Sequence, residues 1–510
     1  MAREQPRRAR ALPGEGRSRA VPAPSRSRSG AAPARGNARP ARRGDRPAHA
    51  DPVRRAVCDV LLAVASRDAY ANLLLPAVLR ERGITGRDAA LATELCYGTL
   101  RGQGTYDAIL GVCSDRRVDR MDPPVREVLR MGVHQLLATR IAAHAAVATS
   151  VDVAKDLAGP RPAGFVNAVL RRVATRDLDA WLTVVAPDRQ ADPRGYLAVR
   201  HSYPGWIVDA FAEALGERPG DGLAETAAAL AAGNVAPKVT LCALPGRCDP
   251  AELATSPGCE PARLSPFGAY VTQGDPAAIS AVSEHRATVQ DEASQLAALA
   301  LTRAELAGPD GLWLDMCAGP GGKASLLAGL AADRGARLLA SDAREHRARL
   351  VRDALTPPRP APRPASTGTL VADGTAPAWR PAVFDRVLVD APCSGLGSLR
   401  RRPESRWRRS PAGVTGLARL QRTLLDAAVD SVRPGGVIAY VTCSPHVAET
   451  RDVVAGLLRD RQDVEVLDAP ALLPEMTGLS GAEPFGKFAQ FWPHRHGTDA
   501  IFLAVIRRLA

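Results

Sequence analysis

Two cysteines stand in turns that follow apolar, strand-like runs. Cys393 lies in DAPCSGLGSLRRRPESRW (390–407), after DRVLVDA (385–391), and Cys443 closes GVIAYVTC (436–443) within YVTCSPHVAET (440–450). A lone cysteine usually serves as a small buried hydrophobe. Two of them at the ends of successive strands, with Asp390 beside the first, are placed for chemistry. A thiol becomes a nucleophile when a nearby cation or dipole lets it ionise. Methylation at carbon 5 of a pyrimidine needs such a group, because that carbon reacts poorly until a thiolate adds at carbon 6. A second group must then assist loss of the carbon 5 proton and release of the thiol, and an acid near N3 or the exocyclic amine would stabilise the adduct. Cys443, Cys393 and Asp390 match these tasks, and the residues alone leave open which cysteine attacks.

A third constellation is LDMCAGPGGKASLLA (314–328), a strand, a glycine-rich turn and a helix. Gly319, Gly321 and Gly322 allow close approach of a ligand to the backbone, and the helix points its N-terminus at it. The spacing fits neither the dinucleotide fingerprint nor the Walker loop. Asp342, ending the next strand, is placed to accept hydrogen bonds from ribose hydroxyls, and Asp373 ends a third strand near an adenine edge. Lys323 is one of only four lysines among 67 basic residues, so a compact ammonium at this position carries information.

The elements that must hold these turns follow from the pattern after residue 288. GLWLDM (311–316), RLLASD (337–342), TLVAD (369–373), DRVLVDA and GVIAYVTC are apolar runs suited to a parallel sheet buried on both faces, with helical segments between them. This predicts a doubly wound α/β domain over 288–510, with IFLAVIRR (501–508) as a late antiparallel strand beside the edge. TPPRPAPRPAST (356–367) reads as an exposed loop. Upstream, 49–176 carries helical periodicity from Asp51-Pro52 and Asp122-Pro123 onward and reads as an all-α domain. Residues 177–287, with short strands at 238–244 and 268–273, read as a small α+β linker domain. Residues 1–48, with seven prolines and 13 arginines, read as a disordered tail, either inert or a non-specific phosphate-binding arm.

Of the net charge of +13, ten units fall within residues 1–50. No run is apolar enough for a membrane helix and the start lacks a signal core, which excludes membrane and secreted classes. Nine cysteines without a C-x-x-C pair point to a reducing cytoplasm, with neither a disulfide framework nor a metal site. SLRRRPESRWRRS (398–410), directly after the Cys393 turn, offers Arg400, Arg401, Arg402, Arg406 and the stacking ring of Trp407 for RNA. Arg171 and Arg172, on one turn of a helical segment, are further candidates.

Together these motifs resemble the RsmB/Sun family of bacterial rRNA (cytosine-5-)-methyltransferases. The likeness runs from about residue 51 to 510. ELCYGTLR (94–101), DPPVREVLRMGVHQLL (122–137) and GFVNAVLRR (164–172) resemble the NusB-type RNA-binding domain. VQDEAS (289–294), DMCAGPGGKAS (315–325), DAPCSGLG (390–397) and VTCS (441–444) resemble the methyltransferase motifs. The resemblance implies a Rossmann-like class I methyltransferase domain binding S-adenosyl-L-methionine through Cys317, Ala318, Gly319, Pro320, Gly321, Gly322 and Lys323, with Asp342, Asp373 and Asp390. It implies Cys443 as the nucleophile, Cys393 in product release, and Asp390 and Lys323 beside them. The implied substrate is one cytosine of 16S rRNA, met before the small subunit is complete, with no obligate protein partner. The proline-rich insert and the arginine-rich tail depart from the family pattern. Another RNA such as tRNA, DNA, or a non-catalytic role as an antitermination-type RNA-binding factor are the alternatives.

Overall fold

Asp51 accepts a hydrogen bond from the Arg54 N–H at 2.9 Å and Pro52 takes the first helical position, so the described fold begins on a capped helix, Pro52–Arg67. Its Val53, Val57, Val60, Leu61 and Val64 recur at helical spacing and are buried. Asp122 precedes Pro123–Ala138 without a side-chain cap, yet Val125, Leu129 and Val133 are buried in the same way. With Ala71–Glu81, Gly86–Arg101, Gln103–Cys113, Ala143–Ala158 and Ala163–Val173 these helices close one apolar core. The computed structural model describes residues 50–218, 220, 222–356, 367–476 and 486–509. The tail at 1–48 and all but the ends of the insert at 356–367 lie outside the described residues.

The segment 177–287 divides its apolar residues. Trp181 joins the helical core, and Tyr203, Ile207 and Phe211 pack with Leu396, Leu399 and Trp492 of the C-terminal part. Leu241, Ala269 and Ala287 form a cluster of their own. That cluster belongs to a four-stranded antiparallel sheet of β1 (Val239–Ala243), β2 (Cys259–Pro261), β3 (Gly268–Val271) and β4 (Ala287–Val289), in the order β2-β3-β1-β4.

The larger sheet contains β5 (Leu312–Asp315), β6 (Arg337–Asp342), β7 (Thr367–Val371), β8 (Phe384–Asp390), β9 (Val432–Thr442), β10 (Val464–Leu467), β11 (Ala489–Gln490) and β12 (Phe502–Arg508). Its order is β10-β12-β9-β8-β5-β6-β7, with β11 paired to β12. Strands β5 to β9 pair in parallel; β5, β6, β8 and β9 are packed into the cores on the two sides of the sheet and read as apolar runs, whereas β7 at the edge (TGTLV) has no buried residue. The late strand β12 is antiparallel to β9, as the sequence predicts, but β10 covers its far side and takes the edge. The chain leaves β5 for β6 on one side and returns to β8 on the other, so the crevice beyond the carboxyl ends of β5 and β8 is the topological switch point. Among the described residues no helix is long and apolar enough to cross a membrane.

Candidate active site

Three turns meet at that crevice. After β5, Gly321 has φ +115°, and a Cβ there would stand 2.8 Å from that of Ala354. A Cβ on Gly319 would lie 2.4 Å from Asp342 Oδ2, so glycine is what lets the turn settle onto that carboxylate. Asp342 accepts from the Gly319 N–H at 3.1 Å and the Arg344 N–H at 2.9 Å. The helix Gly322–Asp333 starts at the turn and sets Lys323 against the end of β8, where its Nζ donates to Asp390 Oδ2 at 2.8 Å. Burial disfavours the ammonium, but Asp390, with help from Cys443 and Asp315, outweighs that and holds Lys323 above its ordinary value.

The turns after β8 and β9 bring Cys393 and Cys443 together, Sγ to Sγ 3.2 Å. The two thiols titrate apart. The hydrogen bond from Cys393, with the Lys323 ammonium, holds Cys443 below the ordinary thiol range against the effect of burial. The same hydrogen bond, then burial, drives Cys393 well above it. Of the two, Cys443 gives up its proton the more readily.

A buried carboxylate that sequence reasoning gave no role holds both turns. Glu449 is fully buried and accepts from the Ser394 N–H at 2.7 Å, Ser394 Oγ at 2.5 Å, Ser444 Oγ at 2.6 Å and Gln421 Nε2 at 3.1 Å. Ser394 and Ser444 each follow a cysteine, so one side chain fixes both thiols relative to each other. Asp315, at the end of β5, was also missed. Both of its oxygens are buried without a partner, and burial, then the Asp390 charge, pushes its carboxyl up to about 8. The signal was in the sequence, since an acid ending a strand buried on both faces must have a purpose or a cost.

The arginine run requires a correction. Arg400 donates to Asp499 Oδ1 at 2.5 Å, Asp291 Oδ2 at 2.9 Å and the Gly497 carbonyl at 2.8 Å, and Arg401 bridges the same two aspartates at 2.8 and 2.7 Å. Arg406 is wholly buried, donating to the carbonyls of Arg101, Ser202 and Gly233 and to Tyr203 Oη. Arg406 is out of reach of a phosphate, while Arg400 and Arg401 line the cleft with their charge balanced by Asp291 and Asp499. Arg402 remains exposed, 5.2 Å from the Tyr70 ring, and Trp407 is 39% exposed with its ring over Gly104. Arg171 and Arg172 are exposed on the last turn of Ala163–Val173. Asp373 is exposed beyond β7, its carboxylate accepting from the Thr375 N–H and hydroxyl at 2.9 and 2.8 Å.

A parallel sheet with a glycine turn after its central strand, an acid ending the next strand and a thiol pair at the switch point defines an S-adenosylmethionine-dependent methyltransferase. Residues 304–507 match the family described as 16S rRNA methyltransferase RsmB/F, and residues 51–175 match the NusB family. A relative in Mycobacterium tuberculosis is 50% identical over 471 residues, spanning 92% of this chain and 99% of the relative. Ribosomal RNA small subunit methyltransferase B of Vibrio cholerae is 31% identical over 467 residues, spanning 89% and 97%. The crystal structure of PH0851 shares the fold at a TM-score of 0.71 and 21% identity, covering 90% of this chain and 98% of that one. The chain belongs to the RsmB/F family of rRNA methyltransferases.

The residues present fit the methyl donor. Asp315 Oδ1 and Oδ2 and Gln290 Oε1 are buried polar atoms without partners around the glycine turn, and Gly319 and Lys323 line a cleft of about 600 Å³ beside Asp390.

Proposed function

We propose that the protein methylates carbon 5 of one cytosine in 16S rRNA, in the cytoplasm and before the small subunit is complete, through a covalent bond from Cys443 Sγ to carbon 6 of that base. The observation that carries this reading is the 3.2 Å thiol pair, with Cys443 held low and Cys393 held high. Cys443 adds to carbon 6, and the displaced ring electrons move towards N3 and the exocyclic amine, where the Asp390 carboxylate, paired with the Lys323 ammonium, accepts a hydrogen bond from the amine and steadies the adduct. S-adenosylmethionine, held by Cys317–Lys323 with Asp342, Asp373 and Asp390, supplies the methyl group. Solvent water takes the carbon 5 proton, and Cys393, which keeps its own proton, hydrogen-bonds the departing Cys443 sulfur as the Cys443–carbon 6 bond breaks and the ring regains its double bond. Lys323 keeps the Cys443 thiolate accessible and fixes Asp390 by its ion pair. Arg402, Trp407, Arg171 and Arg172 are the exposed groups left to hold RNA, and the arginine-rich residues 1–48 add sequence-blind, salt-sensitive attraction.

The test is chemical location of the methyl group. The protein is incubated with unmodified 16S rRNA, with tRNA and with labelled S-adenosylmethionine, and the products are digested to nucleosides. The expected result is label in 5-methylcytidine from one site of 16S rRNA; label on another atom of the base, or in tRNA alone, overturns the reading.

A further inference from the structure

We propose that the helical domain forms a nucleobase subsite inside the catalytic cleft, with Tyr97 as the stacking surface for an unpaired RNA residue next to the target cytosine; the proposal rests on the reaction assigned above. The cleft that contains Gly319, Lys323 and Asp390 is also lined by Asn72, Thr93, Tyr97 and Arg101, all from the helical domain. Thr93, Tyr97 and Arg101 are spaced by four on the helix Gly86–Arg101, so a single face of that helix is turned to the reaction site.

Tyr97 is suited to a base. It is half-buried and packs against the helical core, which fixes the ring, and Arg101 Cζ lies 5.6 Å from the ring centroid. A rigid aromatic ring beside a guanidinium accepts any base by stacking, which is how unstacked RNA residues are held. A second observation is independent of the ring. Asn72 Oδ1 and Arg101 Nε, both from the helical domain, are buried polar atoms without partners, and both residues line this cleft. Buried polar atoms are nearly always paired, so an acceptor and a donor left open at one wall mark where a ligand with both kinds of group belongs. A nucleobase edge has both.

The helix is held at the cleft by the arginine segment. Arg406 Nη1 donates to the Arg101 carbonyl at 3.1 Å, and Glu404 accepts from the Ala71 N–H at 3.1 Å at the start of the helix that carries Asn72. The helical domain is thereby a wall of the reaction site, able to select the residue beside the target.

The experiment uses the full chain with Tyr97→Leu, which keeps the apolar contact and removes the ring, and with Tyr97→Trp, which keeps a ring. KM for 16S rRNA, cofactor affinity, melting temperature and the methylated atom are read for each. The expected result is a rise in RNA KM of about 5- to 150-fold for Tyr97→Leu, the span of lost base stacking, with near-wild-type KM for Tyr97→Trp. Cofactor affinity is expected to stay at the wild-type value, and the protein to remain folded at the assay temperature with the melting temperature lowered only by the packing that the ring supplies. An unchanged RNA KM for Tyr97→Leu, or a loss confined to cofactor affinity, overturns the subsite. Wild-type label on an atom other than cytosine carbon 5 overturns the reaction instead, and the KM comparison still reads the subsite.

Discussion

Cys393 and Cys443 are 50 residues apart in the chain and 3.2 Å apart at their sulfurs, and their pairing separates their titrations. The direction has a consequence for pH. Cys443 sits low because Cys393 donates to its thiolate, with Lys323 adding attraction, while burial opposes both. Removing Cys393 takes away the first of these and leaves the burial, so the Cys443 pKa must rise. The rate of adduct formation by wild type should climb with pH through the Cys443 pKa and then level. In Cys393→Ala that climb should shift to higher pH by about a unit or more, the loss of one charge-assisted hydrogen bond being worth about 1.5–3 kcal/mol. Stopped-flow or quench measurements of adduct formation across pH check this, and an unshifted midpoint would show that Cys393 does not tune Cys443. The thiols, Asp390 and Lys323 were legible because reactive residue types stood at strand ends. Glu449 was not, since its function exists only once Ser394 and Ser444 are brought to within reach from two different turns.

At the scale of elements, the sequence showed β5, β6, β8 and β9 clearly, because they are apolar and buried, while the edge strand β7, with no buried residue, lies at 367–371 and not at 369–373. It missed β2, β4, β10 and β11, which are two to four residues long and too short to carry a period. The arginine segment 398–410 shows the opposite failure. Six arginines beside a catalytic turn look like a phosphate-binding strip, and charge alone cannot reveal that Asp291, Asp499 and a set of carbonyls wait for three of them. Arg406 joins three distant segments by hydrogen bonds and lies 3.7 Å from the Tyr203 ring centroid. Arg406→Ala leaves a cavity and several unpaired carbonyls, so it should lower stability by about 3 kcal/mol or more. Calorimetry should then show the helical domain melting apart from the catalytic domain, in two transitions. A single transition at the wild-type temperature would refute the staple.

For the whole molecule, the net charge of +13 pointed at nucleic acid, but ten units belong to residues 1–50 and much of the arginine near the site is paired internally. What joins the chain to RNA chemistry is architecture. A NusB-like helical domain and an RsmB/F methyltransferase domain share one cleft, with the thiol pair beyond the carboxyl ends of the sheet. The covalent role of Cys443 is the central claim, and the measurement that tests it most directly is capture of the protein–RNA adduct. Wild type, Cys393→Ala and Cys443→Ala are each mixed with 16S rRNA and S-adenosylmethionine, resolved under denaturing conditions, and the crosslinked peptide is identified. Cys393→Ala should accumulate an adduct on the peptide containing Cys443, and Cys443→Ala should form no adduct and no methylated product. A methylating Cys443→Ala enzyme, or an adduct mapped to Cys393, would contradict the account.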